Sequence, residues 1–173
     1  LDATLVEATQ AGFVALIGAP NAGKSTLMNA MVGQKVSIVT PKVQTTRSRI
    51  RGIAMHEAVQ IIFVDTPGIF KPKRRLDRAM VNAAWQGAED ADVVLLMHDC
   101  ARREPDEDTL KIIEKLAESG RSASLVLNKI DLVPQDVIGQ WLKYLRCQYP
   151  TIAFKSSTQN SQKIGHAAGS FTG

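Results

Sequence analysis

The sequence predicts an α/β fold: a mostly parallel six-stranded sheet with one antiparallel edge strand and helices on both faces. Three observations carry this. Short apolar runs alternate with segments of helical spacing along most of the chain. One pair of runs is joined by only a short polar turn, which suits an antiparallel hairpin and not a crossover. The runs ending at Gly18, Val64 and Leu127 are each closed by residues suited to turns and to polar chemistry. In open α/β sheets the carboxyl ends of the strands are where ligands bind.

In chain order, residues 13–18 (FVALIG) are a short apolar run ending in glycine and read as a buried strand. Residues 24–33 have helical spacing, with Leu27, Ala30 and Met31 expected on one side. Residues 50–54 and 60–64 read as two strands, with His56 and Glu57 in the turn between them. Residues 76–87 are expected to be helical and 93–97 to be another buried strand. Residues 105–119 form an amphipathic pattern, with Leu110, Ile113, Leu116 and Ala117 expected to face inward. Pro105, Asp106, Glu107 and Asp108 suit the start of that helix. Residues 124–127 read as a strand, 135–147 as a helix and 151–155 as a last strand. The expected layout is an N-terminal extension over 1–11, one nucleotide-binding domain over 12–158 and an irregular polar tail over 159–173.

The 173 residues suit one domain, and 45% hydrophobic with 22% charged residues permits an ordinary core. Cys100 and Cys147 have neither metal-ligand nor disulfide-framework spacing and read as ordinary reduced thiols. No run approaches the ~18 apolar residues of a membrane span, and residues 1–10 lack the basic start of a signal peptide. A cytoplasmic monomer is expected. The net charge of +4 is mild, but Lys71, Lys73, Arg74 and Arg75 cluster, as do Arg47, Arg49 and Arg51. Such clusters are either a solvated surface or a contact for RNA phosphates. Few aromatics lie beside them for base stacking, and nothing calls for DNA.

Gly18-Ala19-Pro20-Asn21-Ala22-Gly23-Lys24-Ser25 matches GxxxxGK[ST], follows a strand and opens a helix. That context identifies a phosphate-binding P-loop. Its glycines let amides point at phosphate oxygens, Lys24 can reach the β- and γ-phosphates, and Ser25, followed by Thr26, can ligate magnesium. Asp65-Thr66-Pro67-Gly68 closes a strand, placing a carboxylate for magnesium and a glycine amide for the γ-phosphate. Asn128-Lys129-Ile130-Asp131 closes another. Asp131 can accept from N1–H and the exocyclic amine of guanine. Adenine offers neither donor, so an ATPase is disfavoured. Asn128 is expected to brace the loop, with the Lys129 stem along the base. Ser156 and Ser157 follow the last strand, where the Ser157 amide can meet guanine O6 or simply form a turn. Thr46, preferred to Thr45, can ligate magnesium when the γ-phosphate is bound. A threonine pair entering a strand is the plainer reading.

With their intervening text, these motifs resemble the bacterial Era family of GTPases. GFVALIGAPNAGKSTLMNAMVGQKVSIVT, VQTTRSRIRGIA and IIFVDTPGIFKPKRRLDRAMVNAAW carry the likeness over about residues 12–133. The resemblance implies a P-loop G domain that binds GTP and GDP with Mg2+ and acts in small-subunit ribosome assembly, with 16S ribosomal RNA and the 30S subunit as partners. It assigns catalysis to Lys24, Thr46, Gly68 and Asn21, the last through a K+ site. Asn21 as a mere support for the turn is the alternative. Two departures stand out. The family carries an RNA-binding KH domain, and no GxxG clamp occurs here, so no KH domain is expected. After Val133 the text resembles circularly permuted nucleolar GTPases of the nucleostemin type.

After Gly68, many small GTPases place a glutamine that orients the attacking water. Here Ile69 stands there, and an apolar side chain cannot do that work. The leading expectation is a slow GTP-hydrolysing switch. The alternative is a guanine-nucleotide-binding module with negligible hydrolysis.

Overall fold

The structure, a computed structural model, describes residues 10–37, 50–101 and 105–156. Strand β1 (Gln10–Gly18) leads into helix α1 (Lys24–Val32). β2 (Ile50–His56) and β3 (Val59–Asp65) form the hairpin, followed by α2 (Arg75–Glu89) and β4 (Val93–Asp99). Then come α3 (Glu107–Ser119), β5 (Ala123–Asn128), a helical turn at Ile130–Leu132, α4 (Gln135–Arg146) and β6 (Thr151–Phe154). The sheet order is β2-β3-β1-β4-β5-β6, and only the β2–β3 pair is antiparallel. The hairpin turns at Glu57, which has a left-handed backbone (φ 62° is found at Asn21, φ 52° here), and His56 belongs to β2 instead of the turn.

Strand alternation divides the core into two layers. Ala15 and Ile17 of β1 and Val94 and Leu96 of β4 face α2 and α3, where Ala84, Ala88, Ile112 and Leu116 close over them. Leu16, Phe63, Met97 and Val126 face the other way, against Leu27 and Met28 of α1. Neighbouring residues of one strand therefore serve opposite layers, the period-2 rule of a sheet covered on both sides. Right-handed crossovers put α4, between parallel β5 and β6, on the same side as α2 and α3.

Two helix phases differ from expectation. In α3 the buried residues are Thr109, Ile112 and Leu116, while Leu110 is 50% and Ile113 44% exposed, and Ala117 is exposed. Both sets fit helical spacing, and a polar Thr109 hides the true face from a reading of apolar periodicity alone. In α1, Leu27 and Met28 are buried but Met31 is 50% exposed. Polar and apolar residues are spread around that helix (KSTLMNAMV), so its sequence does not define a face. β1 also starts earlier than the expected domain start, at Gln10.

The sheet order reverses at β1: the chain leaves it towards β2 and β3 on one side and later returns to β4 on the other. Loops at such a switch point diverge and leave a crevice at the carboxyl end of the strand. The residues 18–25 occupy that crevice.

Candidate functional site

The loop after β1 is built around a close approach. Gly23 has a left-handed backbone (φ 96°), and a Cβ there would lie 2.0 Å from Asn128 Nδ2. Only glycine satisfies both conditions. Asn128 uses the space: its Nδ2 donates to the Ala22 carbonyl at 2.8 Å and its Oδ1 accepts from the Lys129 amide at 2.7 Å. The end of β5 is thereby tied to the loop after β1. Asn21, exposed and also left-handed (φ 62°), forms the outer bend. Ala19 and Ala22 are buried, anchoring the loop from beneath.

Lys24 opens α1 and is buried. Its Nζ donates to the carbonyls of Gly18 at 3.1 Å and Ala19 at 2.9 Å. Burial lowers its pKa to about 8, with the Asp65 carboxylate pulling the other way. The ammonium thus sits poorly solvated inside the loop, a position in which an added anion is strongly favoured. α1 itself begins on Gly23 with no side-chain cap and no acid in its first turn. A helix start of this kind suits an anion. Thr26 lies in that first turn, half-buried.

Asp65, fully buried at the end of β3, has Oδ2 accepting from Ser25 Oγ at 2.6 Å and from Ser37 Oγ at 2.7 Å. The next residues are locked in place. Thr66 Oγ1 donates to the Leu16 carbonyl at 2.7 Å, and the Ile69 amide donates to the Gly18 carbonyl at 3.0 Å. A Cβ on Gly68 would fall 2.9 Å from the Pro20 backbone, so this glycine lets the two loops touch. Ile69 is buried in the α2/α3 layer. Its side chain points into the core, so it neither orients water nor blocks it.

Lys129 also has a left-handed backbone (φ 58°), and its Nζ pairs with Asp99 Oδ2 at 2.5 Å. Asp99 ends β4, and its other oxygen accepts from the Ala101 amide at 3.0 Å. Beside it, burial first and then Asp99's charge push the Cys100 thiol up to about 11, keeping it protonated. Asp131 is exposed on the helical turn, with its carboxylate accessible. Ser156 is buried just past β6.

The structure brings together the residues 18–25, Asp65, Gly68, Asn128 and Lys129. Thr45, Thr46 and Ser157 lie outside the described residues. Three contributors were missed from sequence. Asn29 of α1 accepts from the amides of Val36 and Ser37 and donates to the Ser37 carbonyl, each at 2.9 Å, which delivers Ser37 to Asp65. Asp99 holds Lys129. A serine and an asparagine in a helix–loop segment, and an aspartate that ends a strand without a motif after it, carry no local signature.

A nucleotide phosphate and a magnesium ion both fit these residues. The glycine cradle, the open helix end and the buried ammonium match a phosphate chain. Ser25 and Asp65 offer hard oxygen donors but few carboxylates, as suits a small cation that completes its shell with phosphate and water. Among the described residues no group of three or more His, Cys, Asp or Glu forms a metal cage, and no helix is long and apolar enough to cross a membrane.

Comparison with known proteins agrees with this geometry. The family model described as 50S ribosome-binding GTPase matches residues 13–129, more than half of the chain. GTPase Era of Mesorhizobium japonicum is 62% identical over 131 residues, 76% of this chain and 42% of that protein. GTPase Era of Rhizobium meliloti is 53% identical over 157 residues, 91% of this chain and 49% of that one. A match of that extent must run past Val133, so the expected turn towards nucleolar GTPases gains no support. The crystal structure of Era in complex with MgGDPNP and nucleotides 1506–1542 of 16S ribosomal RNA superposes with a TM-score of 0.76 at 36% identity, covering 84% of this chain and 51% of that one. The chain spans less than half the length of the two curated relatives. With its P-loop, its bracing asparagine and this match, the chain belongs to the family described as 50S ribosome-binding GTPases.

Proposed function

We propose that the chain is an Era-like switch domain that binds GTP and GDP with magnesium and hydrolyses GTP slowly, as part of a cytoplasmic protein acting in assembly of the 30S subunit. The observation that carries this reading is the hydrogen bond from Asn128 Nδ2 to the Ala22 carbonyl. It couples a base-reading loop to a phosphate-holding loop at a fixed spacing, which a nucleotide needs and a bare phosphate does not. The 16S ribosomal RNA in the complex of the related Era supports RNA as the partner.

In this reading each site residue has a role. The residues Gly18, Ala19, Pro20, Asn21, Ala22 and Gly23 wrap the phosphates with their amides, and Lys24 neutralises charge on the β- and γ-phosphates. Ser25 and Asp65, with Thr46, hold magnesium, which when bound offsets charge on the phosphates. Gly68 offers its amide to the γ-phosphate. Asp131 reads the guanine edge, Lys129 lies along the base with its head fixed by Asp99, and Ser156 and Ser157 close the base pocket. With Ile69 in the core, no side chain directly after Gly68 orients water. Rates are then expected to be no higher than those of GTPases that keep such a glutamine, on the order of 10⁻⁴ to 10⁻² per second. Further acceleration is assigned to K+ held beside Asn21. Single-turnover hydrolysis in matched potassium and sodium buffers tests this. Potassium should speed the parent chain and leave Asn21→Ala unaffected; equal parent rates in both salts would remove the cation from the account.

A further inference from the structure

Residues 71–78 (KPKRRLDR) carry five basic side chains and one acidic one. Lys71, Lys73, Arg74, Arg75 and Arg78 are all exposed. Nearby carboxylates are engaged with the backbone of the same segment. Asp77 Oδ2 accepts from the amides of Lys73 at 3.0 Å and Arg74 at 2.9 Å, and Asp108 Oδ1 accepts from that of Lys71 at 3.0 Å. Lys71 shares its charge with Glu107, whose carboxyl is held below its ordinary value first by Lys111 and then by Lys71. The other four basic side chains have no ion-pair partner among the described residues.

Their position makes this costly to the fold. Arg74 caps the start of α2 and Arg75 is its first residue. The amino end of a helix carries partial positive charge, so each cation there is unfavourable. Like charges on neighbouring residues add repulsion. Asp77 in the first turn offsets part of this charge, but among the described residues no ion pair neutralises the remaining cations, so further compensation is expected from outside. The segment is also preorganised: it hangs from Ile69, buried in the core, and from Gly68, packed on Pro20. A held array of cations loses less entropy on binding than a loose tail.

We propose that residues 71–78 form a docking surface for the phosphate backbone of RNA. Arginine predominates, and its planar fork matches phosphate oxygens. The segment has no aromatic residue, so it has no platform for bases and contacts should be independent of sequence. An anionic membrane fits less well, because Leu76 is the one large hydrophobic side chain exposed among these charges. The inference deepens the RNA-partner part of the proposed function and does not depend on the nucleotide site.

The test measures binding of oligo(U) and oligo(A) of equal length to the full chain across a salt series, with GDP affinity as the check on folding. Arg74→Glu/Arg75→Glu should weaken both RNAs alike, at least about fivefold at low salt. Its salt slope should fall by about 1.4, from two phosphate contacts at about 0.7 each. Arg74→Gln/Arg75→Gln should show a smaller loss in the same direction, and it decides the matter if the glutamate variant fails to bind GDP. Lys143→Glu/Lys155→Glu, an equal charge change elsewhere on the surface, should cost less than about twofold because it removes no phosphate contact. No RNA binding by the parent, equal losses in the two glutamate variants, or stronger binding of the parent to phosphatidylglycerol vesicles than to RNA would each overturn the proposal. Failure of the parent to bind GDP would count against the nucleotide reading alone.

Discussion

Helices α1 and α3 begin in opposite ways. α3 is capped by Asp106, whose side chain accepts from the Thr109 amide at 2.7 Å, and Glu107 and Asp108 follow in its first turn. α1 begins on Gly23, with no side-chain cap and no acid, and a lysine as its first residue. One helix end is satisfied from within; the other directs its amides and a buried ammonium at the crevice beside β1. A start like that of α1 is poor for an isolated helix. It persists because Asn128, Ala22 and the packing of Gly68 on Pro20 hold the loop from outside the helix. The difference separates an end built for stability from one built for a ligand.

The largest effect is expected where the ligand end is broken. In Gly23→Ala the methyl group would meet Asn128 Nδ2 and the backbone would be strained by about 1–2 kcal/mol, so the Asn128–Ala22 bond must give way. GDP affinity measured by calorimetry should fall more than about 100-fold, since binding depends on phosphate amides held in place. A loss under about threefold would mean that the cradle is not what holds the nucleotide.

Ile69→Ala should act on stability instead. Truncating a buried isoleucine costs about 2–5 kcal/mol, read as a lower urea midpoint, while hydrolysis per folded molecule should change little. A large rate change with unaltered stability would place the side chain at the reacting phosphate and not in the core. Smallest of the three, Asp106→Ala removes the cap of α3 and should cost about 0.5–2 kcal/mol with GDP affinity unchanged. A matching loss of affinity would erase the distinction between the two helix ends.

The motif residues were legible in sequence because their demands are local: glycines where backbones touch, a lysine at a helix start, an aspartate and an asparagine at strand ends. The alternation of strands and helices likewise read through to the sheet. What did not read through depends on closure of the fold. Ile69 could be recognised as unable to orient water, but not as a core residue, because its burial is set by α2 and α3 arriving later in the chain. On α3 the inward position of Leu116 was legible, but Leu110, Ile113 and Ala117 are exposed, because two sets of residues satisfy helical spacing and only packing chooses between them. Ser37 reaches Asp65 only because Asn29 folds the following loop back, and Asp99 meets Lys129 only because β4 and β5 are neighbours in the sheet.

The crevice beside β1 is expected to read guanine and to hold its phosphates. Titration of the parent chain and of Asp131→Asn with GDP, XDP and ADP in magnesium buffer tests it most directly. The parent should prefer GDP over both competitors by at least about 100-fold, because an unmatched polar edge in a built site is rejected strongly. Asp131→Asn should move that preference to XDP, whose extra carbonyl suits the new amide donor. A parent chain that binds ADP as well as GDP, or an Asp131→Asn variant that keeps the parent's order, would contradict the account.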